Sequence, residues 1–291
     1  MTRARAWLAA VRPRTLSTAV VPVAVGTAAA ARDGGARPAV ALIALVSATL
    51  LQVGTNLVND WGDARRGADG PDRLGPARAV VAGWLTPGEV LRGAALAFGG
   101  ASVLGVFLIV HGGWPIAAIG IGGLGAAVAY TAGPYPLAYH ALGEVFVFLF
   151  FGPLAVCGTE LVQAGRIGAV AVASSVPVGC LATAILVVNN VRDVDGDRRA
   201  AKRTLVVRLG RRAGRTLYAC LFALAFGVIP VLALLFHAPA TILAWCAAPL
   251  AIAPMRAVLH RIDGPGLNAA LAATARLHLA FGLLLACGLV A

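Results

Sequence analysis

Carboxylates in this chain are concentrated in two short groups, and each group follows a long apolar segment. Seven of the twelve acidic residues belong to them: Asp60, Asp63, Asp69 and Asp72, then Asp193, Asp195 and Asp197. Because a charge near lipid is costly to bury, carboxylates in such positions usually bind a ligand. Asparagines precede each group and arginines follow it. The pattern indicates a divalent-metal site that holds a phosphorylated ligand.

In the first group, Asn56 and Asp60 are four residues apart, and so are Asn59 and Asp63. On an α-helix these four side chains share one face, about 100° wide. Amide and carboxylate oxygens are hard ligands that suit Mg²⁺, which usually keeps water and phosphate oxygens as further ligands. Asn, Asp and Gly are also common at helix ends, so a cap or turn is the structural alternative.

The second group repeats this arrangement, because Asn189, Asp193 and Asp197 follow one another at helical steps of four. Lys202, the only lysine of the chain, and Arg203 come directly afterwards. An ammonium or a guanidinium fits phosphate oxygens. The alternative for these cations is an ordinary cytoplasmic loop, where basic residues are frequent.

The two groups are predicted to face each other, because an even number of apolar spans separates them and returns the chain to the same side. Facing carboxylates repel unless a cation lies between them. A diphosphate bridged by Mg²⁺ meets this requirement, and a metal ion stabilises a diphosphate leaving group. Since the groups lie at the ends of apolar helices, the diphosphate should carry an apolar tail, as isoprenoid diphosphates do.

Composition assigns the chain to the polytopic membrane proteins. Hydrophobic residues make up 59% and charged residues only 12%, with a mean hydropathy of +0.85. Soluble domains are about 25% charged. Alternating apolarity is absent, so we predict an all-α fold with nine helical spans. Their approximate bounds are 15–31, 38–60, 91–111, 114–132, 141–163, 166–190, 215–236, 238–260 and 267–291.

The distribution of arginines predicts the orientation. Of the 24 basic residues, only Arg32, Arg37 and Arg166 fall in the loops that would be outside if the N-terminus is cytoplasmic. We therefore expect a multi-pass protein of the cell membrane with a cytoplasmic N-terminus and cytoplasmic site loops. The net charge of +12 then reflects topology and anionic ligands or membrane lipid, and nucleic acid is not an expected partner. We predict one domain, 1–291, built of two similar halves at about 12–135 and 141–260.

The two groups resemble the aspartate-rich motifs of the UbiA superfamily of intramembrane aromatic prenyltransferases. That pattern is approximately N-D-x-x-D-x-x-x-D, then D-x-x-x-D, and it is matched by Asn59, Asp60, Asp63, Asp193 and Asp197. The last aspartate of the first motif is replaced by Gly67, and Asp69 follows two residues later, which is similar to the naphthoate branch of the family. Further stretches similar to that branch are 12–16, 72–78, 130–137, 189–193 and 202–210.

The resemblance implies nine transmembrane helices around a central cavity and roles for individual residues. Two Mg²⁺ ions would be bound by Asn59, Asp60, Asp63, Asp69, Asp193 and Asp197. Diphosphate would be bound by Arg73, Arg78, Lys202 and Arg203. The remaining substrate contacts would come from Asn56, Asn59, Tyr130, Tyr139, Asn190 and Arg14. The catalytic set would be Asp60, Asp63, Asp193, Asp197 and Lys202.

The implied reaction joins a polyprenyl chain from a prenyl diphosphate to 1,4-dihydroxy-2-naphthoate, with decarboxylation, to give demethylmenaquinone. Other members of the family would use 4-hydroxybenzoate, homogentisate, or haem or chlorophyll precursors. Two other classes are weaker alternatives. A CDP-alcohol phosphotransferase would need Gly where Trp61 stands. A transporter with a carboxylate ion site would carry its acids at mid-membrane and not at helix ends.

Overall fold

A computed structural model describes residues 1–67 and 74–291, and these residues are helical or irregular, with no strand among them. Asp69, Asp72 and Arg73 lie outside the described residues. The α-helices, numbered α1 to α11, are Arg3–Val11, Ser17–Arg32, Pro38–Arg65, Pro87–Gly112, Trp114–Ala129, Gly143–Phe151, Pro153–Ala164, Ala169–Arg199, Leu205–Leu235, Ala248–His260 and Gly264–Val290. Three 3₁₀ segments are Pro13–Thr15, Leu137–Tyr139 and Pro239–Ala247.

The all-α membrane prediction is confirmed. In the described part of the chain, seven helical segments are long and apolar enough to cross a bilayer, and the bent pair Arg3–Thr15 and Ser17–Arg32 makes an eighth. The predicted span at 114–132 forms α5, which has 16 residues. At 1.5 Å per residue it is about 24 Å long, somewhat short of a hydrocarbon core.

Proline and glycine explain where the predicted spans are interrupted. The span at 141–163 is divided between α6 and α7 at Gly152 and Pro153. Proline favours the first position of a helix because it lacks the N–H that would go unused there. The span at 238–260 begins as the 3₁₀ segment Pro239–Ala247 and continues as α10.

The most buried of the seven long segments is α8, which carries the second acidic group at its C-terminal end. It packs against α9, α11, α6, α7 and α2. Asp60 and Asp63 of the first acidic group lie at the C-terminal end of α3, which packs mainly against α4. These two aspartates and the second group therefore lie at C-terminal helix ends, where the helix dipole disfavours an anion and neighbouring cations are needed.

Gly62 lies inside the first motif because the loop after α5 passes close to α3 there. A Cβ atom at this position would come within 2.7 Å of Thr131 Oγ1 and 3.1 Å of the Thr131 carbonyl oxygen. This contact brings Thr131 to Asn59, whose Oδ1 accepts a hydrogen bond of 2.9 Å from Thr131 Oγ1.

Gly62→Ala is accordingly expected to destabilise the protein by about 1–3 kcal/mol, as overpacking against backbone usually does. Thermal unfolding in detergent micelles measures the change. Gly125→Ala is the matched control, since Gly125 is also helical and its Cβ would meet nothing within 4 Å. Equal melting temperatures for the two variants would contradict the close approach.

Candidate active site

A cavity of about 560 Å³ lies among helices α2 to α8. Its wall follows α3 from Ala44 to Asp63, a distance on the order of 28 Å along the helix axis, which approaches the thickness of a hydrocarbon core. Polar side chains collect where the acidic groups lie, and the rest of the wall is mostly apolar. Phe146 and Phe150 line it with stacked rings whose centroids are 6.0 Å apart. The cavity is therefore suited to a ligand with a charged head and an apolar chain.

Asp63 lines the polar end of this cavity, and Lys202 connects it there to Asp197, which like Asp193 lies behind the cavity wall. The Lys202 Nζ atom lies 3.7 Å from Asp63 Oδ1 and 3.9 Å from Asp197 Oδ1. The backbone helps to place it, because the Lys202 N–H donates to the Asp197 carbonyl oxygen at 2.8 Å. Arg78 is buried, lines the cavity and donates to Asp63 Oδ2 at 3.0 Å. The two predicted groups are thus brought to one place by a shared ammonium.

Tyr139 supports this arrangement from the 3₁₀ segment before α6. Its hydroxyl donates to Asp63 Oδ1 at 3.0 Å, and Lys202 Nζ lies 5.3 Å from the centre of its ring, within the range of a cation–π contact. Burial, followed by the negative charge of Asp63, raises the pKa of Tyr139. The hydroxyl therefore stays protonated and remains a donor to the carboxylate. Tyr139 itself lies behind the cavity wall.

Amides form the next part of the wall. Asn59 on α3 and Asn189 and Asn190 on α8 all line the cavity, as does Tyr130 at the C-terminal end of α5. The Tyr130 hydroxyl packs against Gly143, where a Cβ atom would lie 3.0 Å from the oxygen. These four residues line the same cavity as Asp63, so the structure brings this part of the predicted set together.

Asp193 is held by its neighbour Arg192, a residue to which the sequence assigned no role of its own. Arg192 is fully buried and donates two hydrogen bonds to the Asp193 carboxylate, at 2.6 and 2.8 Å. It also donates to Asn189 Oδ1 at 2.6 Å and to Asn268 Oδ1 on α11 at 2.7 Å. Asn268 in turn donates to the Leu74 carbonyl oxygen at 2.7 Å. Arg192 thereby connects α8, α11 and the loop before Arg78.

Asp60 holds a loop. Its two carboxylate oxygens accept the backbone N–H groups of Ala79 at 3.0 Å and Val80 at 3.1 Å, and the residue is 1% exposed. Arg78 immediately precedes these two residues. The contacts of Asp60 therefore position the segment that carries Arg78, and Asp60 lies outside the cavity wall.

Asp60→Asn is expected to lower the free energy of unfolding by about 1–3 kcal/mol, because one buried N–H loses its acceptor and faces an amide donor instead. Thermal unfolding in detergent, with and without Mg²⁺, tests this. We expect the melting temperature to fall while the apparent Mg²⁺ affinity stays within a few fold. An unchanged melting temperature together with a large loss of Mg²⁺ affinity would contradict the loop-holding role.

Three other predicted substrate contacts lie away from the cavity. Asn56 donates to the Val11 carbonyl oxygen at 2.8 Å and to Thr15 Oγ1 at 3.1 Å, so it joins α3 to the turn after α1. The side chains of Arg14 and Arg203 are exposed. Arg12 lines the cavity, whereas Arg14 does not. Arg12 follows the last residue of α1 and turns the chain there with a left-handed φ of 54°.

The site has the donor chemistry that Mg²⁺ requires, although it does not enclose a metal by itself. In the described part of the chain, no three His, Cys, Asp or Glu side chains form a ready metal cage. Mg²⁺ is usually bound by one or two carboxylates, waters and substrate phosphates. Asp63, Asp197 and the Asn59 amide supply such a set, and Lys202 already marks the place where positive charge is favourable.

The fold and the site together define a polytopic α-helical membrane protein with an intramembrane cavity that is polar at one end and mostly apolar elsewhere. The chain belongs to the UbiA prenyltransferase family, whose model matches residues 19–288. It is similar to 1,4-dihydroxy-2-naphthoate octaprenyltransferase of Escherichia coli (strain K12), with 37% identity over 99% of this chain and 96% of the relative. The enzyme of the same name from Mycobacterium tuberculosis is 43% identical over 84% of this chain and 83% of its own length.

A solved structure has the same fold. A UbiA homolog from Archaeoglobus fulgidus bound to DMAPP and Mg²⁺ superimposes with a TM-score of 0.66 at 15% identity, over 96% of this chain and 98% of that one. The family match and the relatives confirm the expectation of a prenyltransferase, and the solved structure confirms the fold.

Proposed function

We propose that this protein transfers a polyprenyl chain from a prenyl diphosphate to 1,4-dihydroxy-2-naphthoate, with loss of CO₂, to give the hydroquinone form of demethylmenaquinone. The single observation that carries the proposal is the contact of Lys202 with both Asp63 and Asp197 at the polar end of a mostly apolar cavity. The naphthoate acceptor is supported by the relatives, which bear that activity in their names at 30–43% identity.

In this proposal the diphosphate lies at the acidic end of the cavity and the isoprenoid chain extends along the apolar wall. Arg78 and Lys202 bind diphosphate oxygens, which charged donors do more strongly than neutral ones. Asn59, Asp63 and Asp197 hold Mg²⁺, with Asp193 oriented nearby by Arg192. We propose two ions, which would neutralise the departing diphosphate as Lewis acids.

The acceptor ring occupies the cavity beside Tyr130, Asn189 and Asn190, which can hydrogen-bond its oxygens. The ring is electron-rich and attacks the allylic carbon as the bond to diphosphate breaks. With the acceptor bound, the ring and the apolar wall limit the access of water to that carbon. We also propose that the polar end of the cavity and the N-terminus face the cytoplasm, since most arginines lie in the loops on the same side of the membrane as these two.

Product analysis tests the proposal. Purified protein in lipid is incubated with Mg²⁺, a geranyl or longer diphosphate and a panel of aromatic acids, and the products are identified by mass spectrometry. We expect the naphthoate to gain one prenyl group and lose CO₂, with a matched release of diphosphate. Reactions without Mg²⁺ are the control. Transfer to 4-hydroxybenzoate or homogentisate alone would keep the enzyme class and overturn the acceptor.

A further inference from the structure

Glu144 is a buried carboxylate of the cavity wall that has no part in the chemistry described so far. It is the second residue of α6 and is 6% exposed. Asn190 Nδ2 donates to its Oε1 atom at 2.8 Å. Among the described residues, no lysine or arginine forms an ion pair with it, whereas Asp63 contacts both Arg78 and Lys202. Of these two cavity carboxylates, Asp63 is therefore paired with cations, whereas Glu144 accepts a hydrogen bond from a neutral amide.

The surroundings of Glu144 suit an aromatic ring with a hydroxyl group. Tyr130 and Asn190 line the same part of the cavity, and the Tyr130 hydroxyl packs on Gly143, the residue before Glu144. Phe146, two residues further along α6, contributes an aromatic surface. A hydroxylated ring placed here would have polar partners at its edge and apolar contacts on its faces.

A buried carboxylate without a cationic partner is costly to maintain, so it needs a reason to be retained. Fixing the Asn190 amide is the structural explanation, but the neutral amide of glutamine would accept the same hydrogen bond. What a carboxylate adds is the capacity to take up a proton. In an apolar cavity it is a strong acceptor for a hydroxyl group.

We propose that Glu144 accepts the hydroxyl proton of the aromatic acceptor during prenyl transfer and returns it afterwards; the inference rests on the proposed function. A new bond forms between the allylic carbon and the ring carbon that bears the carboxylate. At the same time the bond from the allylic carbon to the diphosphate oxygen breaks. Diphosphate leaves with the electron pair. The proton of the neighbouring hydroxyl passes to Glu144, and that oxygen becomes a ketone.

The intermediate is a β-keto acid, which explains the loss of CO₂. When the bond to the carboxylate breaks, its electron pair returns through the ring carbon to the ketone oxygen, which takes the proton back from Glu144. The products are the prenylated hydroquinone, CO₂ and diphosphate, and Glu144 is again a carboxylate. Electrons and protons balance, and no oxidant or reductant is required. A general base of this kind contributes about 10²–10⁴-fold to a rate.

The test compares Glu144→Gln with the wild-type protein in two reactions. The first is transfer to the naphthoate, and the second is Mg²⁺-dependent release of diphosphate without an acceptor, in which water captures the allylic carbon. We expect E144Q to lose about 10²-fold or more in the first and to stay within about twofold in the second. Glu144→Asp, which keeps the carboxylate, should retain more transfer than E144Q.

A series of hydroxynaphthoates with increasingly acidic hydroxyls separates a catalytic role of Glu144 from a structural one. If Glu144 were only structural, the ratio of wild-type to E144Q transfer rates would not depend on the acidity of the hydroxyl. An acceptor that is already ionised needs no base, so the ratio of wild-type to E144Q transfer rates should fall toward one along the series. Glu160→Gln is the matched control. Glu160 is likewise buried, in α7, but it lies outside the cavity wall and accepts the Gly168 N–H at 2.8 Å.

Three results would overturn the role of Glu144. In the first, E144Q transfers the prenyl chain at the wild-type rate. In the second, E144Q loses transfer and acceptor-free diphosphate release to the same extent. In the third, the ratio of wild-type to E144Q transfer rates does not depend on the acidity of the hydroxyl. If the wild-type protein prenylates a different phenol and leaves the naphthoate unchanged, the proposed acceptor is wrong. The same E144Q comparison with that phenol then decides the role of Glu144 separately.

Discussion

Asp63→Asn is expected to reduce prenyl transfer by at least about 10²–10³-fold, the scale seen when one electrostatic contact to a reacting group is removed. Asp63 is the residue on which the polar end of the cavity converges, since Arg78, Tyr139 and Lys202 all contact its carboxylate. Asparagine keeps the shape and one oxygen acceptor, so the Tyr139 hydrogen bond can persist. The negative charge that binds metal and orders the two cations is lost.

Transfer is measured with a prenyl diphosphate and the naphthoate, and Mg²⁺ dependence is measured in parallel. We expect D63N to need more Mg²⁺ for the activity that remains. Asp195→Asn is the matched control, because Asp195 belongs to the same acidic set but is exposed and pairs at the surface with Arg211 at 2.8 Å and Arg198 at 3.6 Å. Wild-type activity of D63N in folded, membrane-inserted protein would refute the assignment of the site.

Lys202→Met is expected to have two separable effects. Transfer should fall by about 10²–10³-fold, because a cation near the diphosphate is lost. Without metal, the protein should also melt at a lower temperature, because the same ammonium contacts Asp63 and Asp197 and its loss leaves their charges facing each other. Adding Mg²⁺ should then raise the melting temperature of K202M more than that of the wild type, since the ion supplies the missing charge.

Melting curves of purified protein in detergent, recorded over a range of Mg²⁺ concentrations, provide the measurement without any substrate. Lys202→Arg is the control, as it keeps the charge and should preserve most of the metal-free stability. An equal Mg²⁺ shift in K202M and the wild type would show that Lys202 does not balance the two carboxylates in the absence of metal.

Motif spacing predicted part of the site because Asp60 and Asp63 lie on α3 and the second acidic group lies on α8, where steps of four define a face. Asn59 and Asp63 share such a face, and the structure places both on the cavity wall. The same periodicity also included Asp60 and Asn56, which lie against other parts of the protein. Asp60 faces the backbone at Ala79 and Val80, and Asn56 faces the end of α1. Helical spacing defines a broad face but not the neighbour that each side chain meets.

Other residues of the site carried little signal in the sequence. Glu144 is a single glutamate at the start of an apolar segment, and it belongs to neither acidic group. Arg192 was counted among the many cytoplasmic arginines, although it is fully buried and joins Asp193, Asn189 and Asn268. Its position directly before Asp193 in the sequence was the available clue, because a basic residue beside a motif aspartate can neutralise it. Arg12 depends on a turn in the backbone that hydropathy does not predict.

Hydropathy, the arginine distribution and the two acidic groups were enough to determine that this is an all-α membrane protein with a charged site at one side. Those properties are local, since the transfer of a segment into lipid depends on its own composition. Only the tertiary structure decided which polar groups meet. The contact of Lys202 with both Asp63 and Asp197, and that of Asn190 with Glu144, join residues far apart in the chain. Such contacts depend on how helices pack and where loops cross them, which local sequence does not determine.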